Sequence, residues 1–259
     1  MNGCKICPHN CQINRITELG ICNAPANFKI AHIQLHKWEE PCISGFNGSG
    51  TIFFSHCNLK CVFCQNYEIS QLGQGKIVSE SDFLHLCQKL KDQGAHNLDF
   101  VTPTAYSHLL IKLLPEIKQQ TDMPIIWNSN AYEKVETLTQ LQGLVDVYLP
   151  DLKYSNNDLA IKYSQAPNYF PIALAAIKEM VRQVPDIEVD ENGLIKKGVI
   201  IRHLVLPFPG AAGDRVSLCI GYFHTGDNSD GAYRCSEERN SGERRTVYRR
   251  GFENQGCCF

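Results

Sequence analysis

Five short apolar runs, separated by gaps long enough for a helix, constrain the fold of this 259-residue chain more than any other feature. Their residues are mostly β-branched or large and apolar, which is typical of strands buried on both faces. The runs cover residues 51–55, 98–102, 125–127, 145–149 and 199–206. Strands that alternate with helices predict an α/β protein built on a parallel sheet.

Each of the four gaps contains apolar residues at helical spacing. In the first gap, Ser79 and Asp82 form a capping pattern and Gly94 follows the last apolar position, which predicts a helix between them. The apolar positions of the four predicted helices are Phe83, Leu86, Cys87 and Leu90; Leu109, Leu110, Leu113, Leu114 and Ile117; Val135, Leu138 and Leu141; and Ala173, Ile177, Met180, Val181 and Val184. Pro115 is expected to kink the second helix.

Polar residues follow every predicted strand. They include Ser55-His56-Cys57, Thr102-Pro103-Thr104, Asn128-Ser129-Asn130, Asp151 with Lys153, and Arg202-His203. In barrels of parallel strands the active site is assembled at the carboxyl ends of the strands, so these groups are expected to converge. Taken singly, each group has an alternative interpretation: residues 128–130 as a turn, for example, or Asp151 with Lys153 as a solvated pair.

Three cysteines lie directly after the first strand, in the pattern Cys57-x3-Cys61-x2-Cys64. Three thiolates are too few for a closed zinc site and one fewer than a fully ligated four-iron cluster needs. A cluster held this way leaves one iron open to a small molecule. The alternative is a structural zinc ion bound by the three cysteines and His56. Lys60 is expected to lower the pKa of the neighbouring thiols.

This motif resembles the defining motif of the radical S-adenosylmethionine superfamily, with Phe63 as the aromatic residue before the last cysteine. The stretches WEEPCISGFNGSGTIFFSHCNLKCVFCQNYEISQ, GAHNLDFVTPTAY, VDVYLPDLKY and IIRHLVLP are similar to one branch of it, related to the pyruvate formate-lyase activating enzymes. The resemblance implies a partial (β/α)6 barrel, a [4Fe-4S] cluster and S-adenosylmethionine that is cleaved to a 5′-deoxyadenosyl radical. It also implies a low-potential electron donor of the flavodoxin or ferredoxin type. The radical would pass to a glycyl-radical enzyme or to a small molecule.

By position, Asp151 and Lys153 match the Asp-Leu-Lys of the activating enzymes, and residues 128–130 match their Asp-Thr-Asn. The resemblance therefore implies that the cofactor contacts Thr102, Thr104, Asn128, Ser129, Asn130, Asp151, Lys153 and His203. Asn128 replaces a carboxylate at the expected ribose contact. The Gly-Gly-Glu signature is absent after the second strand, where Thr102-Pro103-Thr104 stands instead.

Four more cysteines, Cys4, Cys7, Cys11 and Cys22, lie near the start of the chain. Their spacing is close to that of both zinc sites and iron–sulfur sites, and four thiolates would form a closed site. We expect an auxiliary iron–sulfur cluster or a zinc ion here, with free reduced thiols as the alternative.

The composition divides the chain into a Cys-rich segment (1–45), a core (46–209) and an atypical tail (210–259). The tail holds seven arginines, no lysine and a single leucine, so it lacks the apolar periodicity of a packed core. We expect it to be disordered or the product of a shifted reading frame, with a divergent basic tail as the alternative. The barrel is then truncated after its fifth strand, and the expected sixth strand with its Tyr-x-Pro motif is missing. A truncated barrel is expected to be unstable or inactive.

A net charge of −2 implies no nucleic-acid partner, and no basic patch interleaved with aromatic residues appears in residues 1–209. No apolar run is long enough for a membrane span and no secretory signal is visible, so we expect a cytoplasmic protein with no membrane partner. The leading interpretation is a radical S-adenosylmethionine enzyme. The alternative is a catalytically inactive iron–sulfur or zinc-binding protein that keeps the scaffold.

Overall fold

The computed structural model describes residues 3–204 and the backbone of three later strands, 218–222, 235–240 and 243–248. The strands are β1 (Phe28–His36), β2 (Ser49–Phe54), β3 (Lys76–Val78), β4 (Leu98–Val101), β5 (Ile125–Ser129), β6 (Val147–Pro150), β7 (Glu188–Val189), β8 (Ile195–Leu204), β9 (Leu218–Tyr222), β10 (Cys235–Asn240) and β11 (Glu243–Tyr248). The α-helices are α1 (Pro41–Ser44), α2 (Tyr67–Ser70), α3 (Glu80–Asp92), α4 (Ser107–Thr121), α5 (Val135–Leu138), α6 (Asn157–Ser164) and α7 (Tyr169–Gln183).

The centre of the sheet is parallel. Strands β2, β4, β5, β6 and β8 lie side by side in that order, each parallel to its neighbour. These are the five strands that the apolar runs predict, and the α/β class with a partial barrel is confirmed.

Most of the helices, including α3, α4 and α7, pack on one face of this sheet, whereas Ile43 of α1 packs on the other. Ser79 caps α3, since its hydroxyl accepts a hydrogen bond from the Asp82 backbone N–H at 3.1 Å. Helix α4 runs through Pro115, and the third predicted helix is the short α5 followed by a 3₁₀ turn at Thr139–Leu141. Among the described residues no helix is long and apolar enough to cross a bilayer.

Antiparallel strands flank the parallel centre on both sides. The cysteine-rich segment contributes β1, which pairs with β2 and β3. At the other edge β9 runs antiparallel to β8, so among the described strands the parallel part ends after five. Most of residues 210–259 lie outside the described residues. The disorder expected for the tail therefore stays a prediction, although three short segments of it are strands.

The two faces of the parallel sheet bury different apolar cores. The larger core lies between the sheet and the helices and includes Phe54, Phe100 and Trp127. The opposite face, which we call the inner face, carries a small core of Ile43, Ile126, Val147, Leu149, Ile195 and Ile200. Side chains alternate between the two faces along each strand, so every second residue lies on the inner face. Several of these inner-face residues are polar, and they form part of the candidate site.

Candidate active site at the carboxyl ends of the parallel strands

The loop that follows β2 holds the three cysteines and is fastened to the elements around it. The His56 N–H donates to Ile69 O at 3.0 Å, and the Lys60 and Val62 N–H groups donate to Ser164 O and Tyr163 O, each at 2.9 Å. Helix α2 and the end of α6 therefore position the loop through its backbone. Such bonds fix the loop without using the cysteine side chains.

Each of the three sulfurs has a hydrogen-bonding neighbour. Cys57 Sγ accepts from the Leu59 N–H at 3.4 Å and from Asn130 Nδ2 at 3.3 Å. Cys61 Sγ accepts from Ser164 Oγ at 2.9 Å, and Cys64 Sγ lies 3.1 Å from Ser70 Oγ. Groups that can donate to sulfur stabilise thiolates over thiols.

Burial opposes ionisation of these thiols. It raises the pKa of Cys57 to about 12, and the neighbouring Cys61 and Cys64 add to the effect. Burial also raises the pKa of Cys61, opposed mainly by the positive charge of Lys153. The expectation that Lys60 would leave the thiols with a lowered pKa was wrong for Cys57 and Cys61, because desolvation outweighs the groups that favour their thiolates. A metal that binds here must displace the thiol protons.

The donor set fits a four-iron cluster with one open iron better than it fits a single ion. Cys61 and Cys64 both add to the raised pKa of Cys57, and Cys64 adds to that of Cys61, so the three thiols lie within electrostatic range of one another. Yet no three His, Cys, Asp or Glu side chains in the described part of the chain stand close enough to hold one metal ion. A cluster binds each thiolate through a different iron, so its ligands need not meet at one point.

Asn130 connects the cysteine loop with β5. Its Nδ2 lies 2.8 Å from Asn58 Oδ1 as well as near Cys57, and its Oδ1 accepts from the Tyr132 N–H at 2.9 Å. Asn58 Nδ2 in turn donates to Tyr132 O at 2.7 Å. The structure thus brings one predicted site residue directly to the cysteine loop.

Two other predicted residues, Thr104 and Ser129, are hydrogen-bonded to the buried carboxylate of Glu133. Their hydroxyls donate to Glu133 at 2.9 and 2.8 Å, and the indole N–H of Trp127 donates to the same group at 3.0 Å. Burial raises the pKa of Glu133, and these three hydrogen bonds oppose the rise. The two hydroxyls therefore have their protons engaged and could offer a ligand only their lone pairs.

Asp151 and Lys153 are brought together at the end of β6. Lys153 Nζ lies 2.7 Å from Asp151 Oδ2, and the Tyr169 hydroxyl accepts from the Lys153 N–H at 2.9 Å. Burial alone would raise the pKa of Asp151, but the charges of Arg202 and Lys153 outweigh it and lower the pKa. The solvated pair considered as an alternative is not what the structure shows, since both side chains are largely enclosed.

Thr102 and His203 lie at the ends of β4 and β8. Thr102 has φ +59° and ψ +48°, in the left-handed region that a β-branched residue rarely adopts. His203 Nδ1 lies 2.5 Å from Leu152 O. Strained backbone is frequent at functional sites, which is consistent with the position predicted for Thr102.

Arg202, which was expected to converge with Asp151 and residues 128–130, is the centre of a charged network whose other acidic members the sequence did not reveal. Its side chain contacts Asp151, Asn128 and two acidic residues from the segment before α1, Glu39 and Glu40. Asp99 of β4 joins the network through Asn128 Nδ2, at 3.4 Å. The available signal was an aspartate inside an apolar strand and the pair Glu39-Glu40 before a predicted strand, both unusual for buried positions.

The N-terminal cysteines also come together. Burial raises the pKa of Cys7 to about 12, and Cys22, Cys11 and Cys4 each add to the rise, which places the four thiols within electrostatic range of one another. The backbone of Cys4 pairs with that of Gln12 and Ile13 at 2.9 Å. Arg15 fastens the segment by donating to Ala105 O at 2.6 Å. His9 Nε2 lies 2.7 Å from Asn58 O, so this segment touches the loop of Cys57.

Two known proteins are similar to this chain, one by sequence and one by structure. The chain is 36% identical over 211 residues to the uncharacterized protein MJ0674 of Methanocaldococcus jannaschii, an alignment that covers 79% of this chain and 57% of that protein. The chain thus spans just over half the length of this relative. The solved structure of methylornithine synthase (PylB) is 16% identical with a TM-score of 0.40, over 51% of this chain and 41% of that one.

A family model matches the cysteine loop and the strands around it. The match is to the Radical SAM superfamily and covers residues 51–196. It includes Cys57, Cys61 and Cys64, all but two residues of β2, the whole of β4, β5 and β6, and the first two residues of β8. The chain belongs to the radical SAM superfamily.

Proposed function

We propose that this protein is an enzyme that binds a [4Fe-4S] cluster through Cys57, Cys61 and Cys64 and reductively cleaves S-adenosylmethionine. One observation carries the proposal: three thiols at the end of the first parallel strand lie near one another, and each has a group that can donate to its sulfur. When bound, the cluster and S-adenosylmethionine would supply an electron and a 5′-deoxyadenosyl radical that abstracts hydrogen from a substrate.

The protein's own residues orient and enclose this chemistry. Asn130 holds the Cys57 thiol in place, and the Lys153 charge lies close enough to Cys61 to favour its thiolate. One rim of the proposed cofactor site consists of residues at the ends of β5 and β6, namely Asn128, Ser129, Asn130, Asp151 and Lys153. Beside this rim we place Thr102, Thr104 and His203. Thr104 and Ser129 serve there as acceptors, because their hydroxyl groups already donate hydrogen bonds to Glu133.

We further propose that Cys4, Cys7, Cys11 and Cys22 hold an auxiliary iron–sulfur cluster or a zinc ion. Cys7 is buried and the other three thiols are half-buried within electrostatic range of it, and the Cβ of any larger residue at Gly20 would lie 3.0 Å from Cys11 Sγ. As at the first site, a single zinc ion would require the thiols to move closer together. Metal analysis of the full chain with all four cysteines changed to serine tests this proposal. We expect the loss of zinc or of part of the iron, whereas an unchanged metal content would contradict it.

The proposed partners are a low-potential flavodoxin or ferredoxin and, as hydrogen donor, a glycyl-radical enzyme or a small molecule. Kinship at the level of the fold does not decide between these donors. The superfamily supports the need for a reductant, and the similarity to the pyruvate formate-lyase activating enzymes supports a protein glycine.

A second candidate function is a metal-binding protein that keeps the scaffold without turnover. It is favoured by the antiparallel β9, which stands beside β8 where a sixth parallel strand would extend a (β/α)6 barrel. Anaerobic reconstitution followed by an assay for 5′-deoxyadenosine separates the two functions. The first predicts product with dithionite as reductant, and the second predicts iron without product.

The matched control for this assay is Cys87→Ala. Cys87 is a buried cysteine of α3 with no role in the proposed site. We expect Cys61→Ala to abolish 5′-deoxyadenosine formation and Cys87→Ala to retain it. Equal loss in both variants would indicate general unfolding, and retention in both would contradict the proposed ligands.

A further inference from the structure

A layer of polar side chains lies on the inner face of the sheet, next to the small apolar core. We define this inner-face layer as Glu39, Glu40, Asp99, Asn128, Asp151 and Arg202. In the register of the sheet Asp99 is opposite Ile126, and Ile126 belongs to the inner-face core. Asp99 therefore faces the interior rather than the helices, and its hydrogen bond with Asn128 joins it to the rest of the layer.

Each of the three nitrogens of Arg202 already donates a hydrogen bond within the layer, which uses three of its five N–H groups. Its Nε donates to Asp151 Oδ1 at 2.9 Å, its Nη1 to Glu39 Oε1 at 2.7 Å and its Nη2 to Asn128 Oδ1 at 2.5 Å. A guanidinium binds a carboxylate or phosphate through a free pair of N–H groups. Arg202 is therefore poorly placed to receive an anionic ligand.

The acceptors of the layer, in contrast, exceed its donors. Asp99 Oδ1 and Glu40 Oε2 are buried and have no hydrogen-bond partner among the residues that the structure describes. Asp99 has no exposed surface, and Glu40 is 7% exposed. A buried polar atom without a partner costs free energy that a suitable ligand would recover.

The charge balance of the layer also favours a cationic ligand. The layer contains four carboxyl groups, from Glu39, Glu40, Asp99 and Asp151, and one cation, Arg202. Lys153 lies beside the layer, where it pairs with Asp151. Burial raises the pKa of Asp99 to about 7 and, with Asp99 adding to the effect, that of Glu39 to about 9. Above about pH 7, where Asp99 loses its proton, a cation that donates hydrogen bonds would both neutralise the excess negative charge and satisfy the free oxygens.

We propose that the inner-face layer recognises a protonated amine or guanidinium group of the substrate, through Asp99 and Glu40. This inference rests on the proposed function and deepens it, because it names the chemical class of the molecule that donates hydrogen. A carboxylate on the substrate would meet the same carboxyl groups and be repelled. A neutral group would leave the excess charge in place.

Calorimetric titration of the full, reconstituted chain tests the inference without needing turnover. The probe is n-butylammonium at pH 8, with 1-butanol and butyrate as neutral and anionic molecules of similar size, in the absence of reductant and with saturating S-adenosylmethionine. We expect only butylammonium to bind. We expect Asp99→Asn to weaken its binding about tenfold or more, because one charge-assisted hydrogen bond is lost. Glu40→Gln serves as a second variant in case Asp99→Asn does not fold.

Glu188→Gln is the matched control, since it removes a carboxylate from an exposed ion pair with Lys197 and is expected to leave binding unchanged. Equal binding of all three probes, no binding, or full binding by both layer variants would overturn the inference. A second titration without S-adenosylmethionine completes the test: butylammonium binding only in the absence of the cofactor would also overturn the inference, because the layer would then hold the cofactor's own ammonium group. Butylammonium binding without 5′-deoxyadenosine formation would refute the proposed function alone. S-adenosylmethionine cleavage without butylammonium binding would refute the inference alone.

Discussion

At the scale of single residues, the sequence reveals ligands more readily than the groups that hold them. Cys57, Cys61 and Cys64 are visible from spacing alone, because all three lie within eight residues of the chain. Glu133 could not be found this way. Trp127 and Ser129 of β5 reach Glu133 through the turn that follows the strand, and Thr104 reaches it from the 3₁₀ turn after β4, so the cluster forms only when these segments pack together.

Glu133 gives the first prediction. Glu133→Gln replaces one of its acceptor oxygens with an NH2 group that faces the donors of Trp127 and Ser129. We expect the free energy of unfolding to fall by about 1 to 3 kcal/mol, the usual cost of an unsatisfied buried group. Urea unfolding measures it, with the exposed Glu188→Gln expected to change stability by less than about 0.5 kcal/mol. Equal stability of the two variants would show that Glu133 is not the partner described.

Asp99 gives a prediction about pH. Since burial raises its pKa to about 7, the folded protein holds a proton there that the unfolded chain releases near pH 4. Stability from this group therefore falls as pH rises from about 4 to about 7. Glu40, which faces Asp99, contributes to the raised pKa, whereas Arg202 and Asn128 oppose it.

Asp99→Asn replaces the titrating carboxyl group with a neutral amide, so the variant lacks this loss of stability with rising pH. We expect the stability of the variant relative to the wild type to increase by about 1 to 3 kcal/mol between pH 5 and pH 8. Urea unfolding at the two pH values provides the measurement. A difference that stays constant with pH would contradict the raised pKa of Asp99.

At the scale of elements, the cysteine loop depends on a close contact between His56 and Gly73. A Cβ at position 73 would lie 2.2 Å from His56 Cε1, and the residue has φ +65°. The Ser55 hydroxyl, beside it, donates to Gln74 O at 2.6 Å. The chain after α2 therefore packs directly on the residues that precede Cys57, a contact that no local sequence pattern indicates.

Gly73→Ala tests this contact, and Gly143→Ala is its matched control. Gly143 also has a positive φ, of +77°, but nothing lies within 4 Å of its added Cβ. We expect the control to lose about 1 kcal/mol of stability from backbone strain alone. Gly73→Ala is expected to lose a further 1 to 3 kcal/mol, about the cost of overpacking. Urea unfolding compares the two, and equal losses would mean that His56 moves aside freely.

At the scale of the whole molecule, the parallel centre of the fold follows from the five apolar runs, because strands buried on both faces have a simple pattern. The flanking strands do not. Strand β1 alternates apolar and polar residues within a segment that its cysteines dominate, and β9 pairs with β8 through the backbone. The inner-face layer was equally hidden, since it joins Glu39, Asp99 and Arg202 across 163 residues of chain.

The account depends on an iron that no cysteine of the loop ligates, and electron paramagnetic resonance tests it most directly. The measurement compares the dithionite-reduced protein before and after addition of S-adenosylmethionine, beside a variant with Cys57, Cys61 and Cys64 changed to alanine. We predict a reduced-cluster spectrum that S-adenosylmethionine alters in the wild type and that the variant lacks. A spectrum that S-adenosylmethionine leaves unchanged, or that survives in the variant together with the same response, would contradict the account.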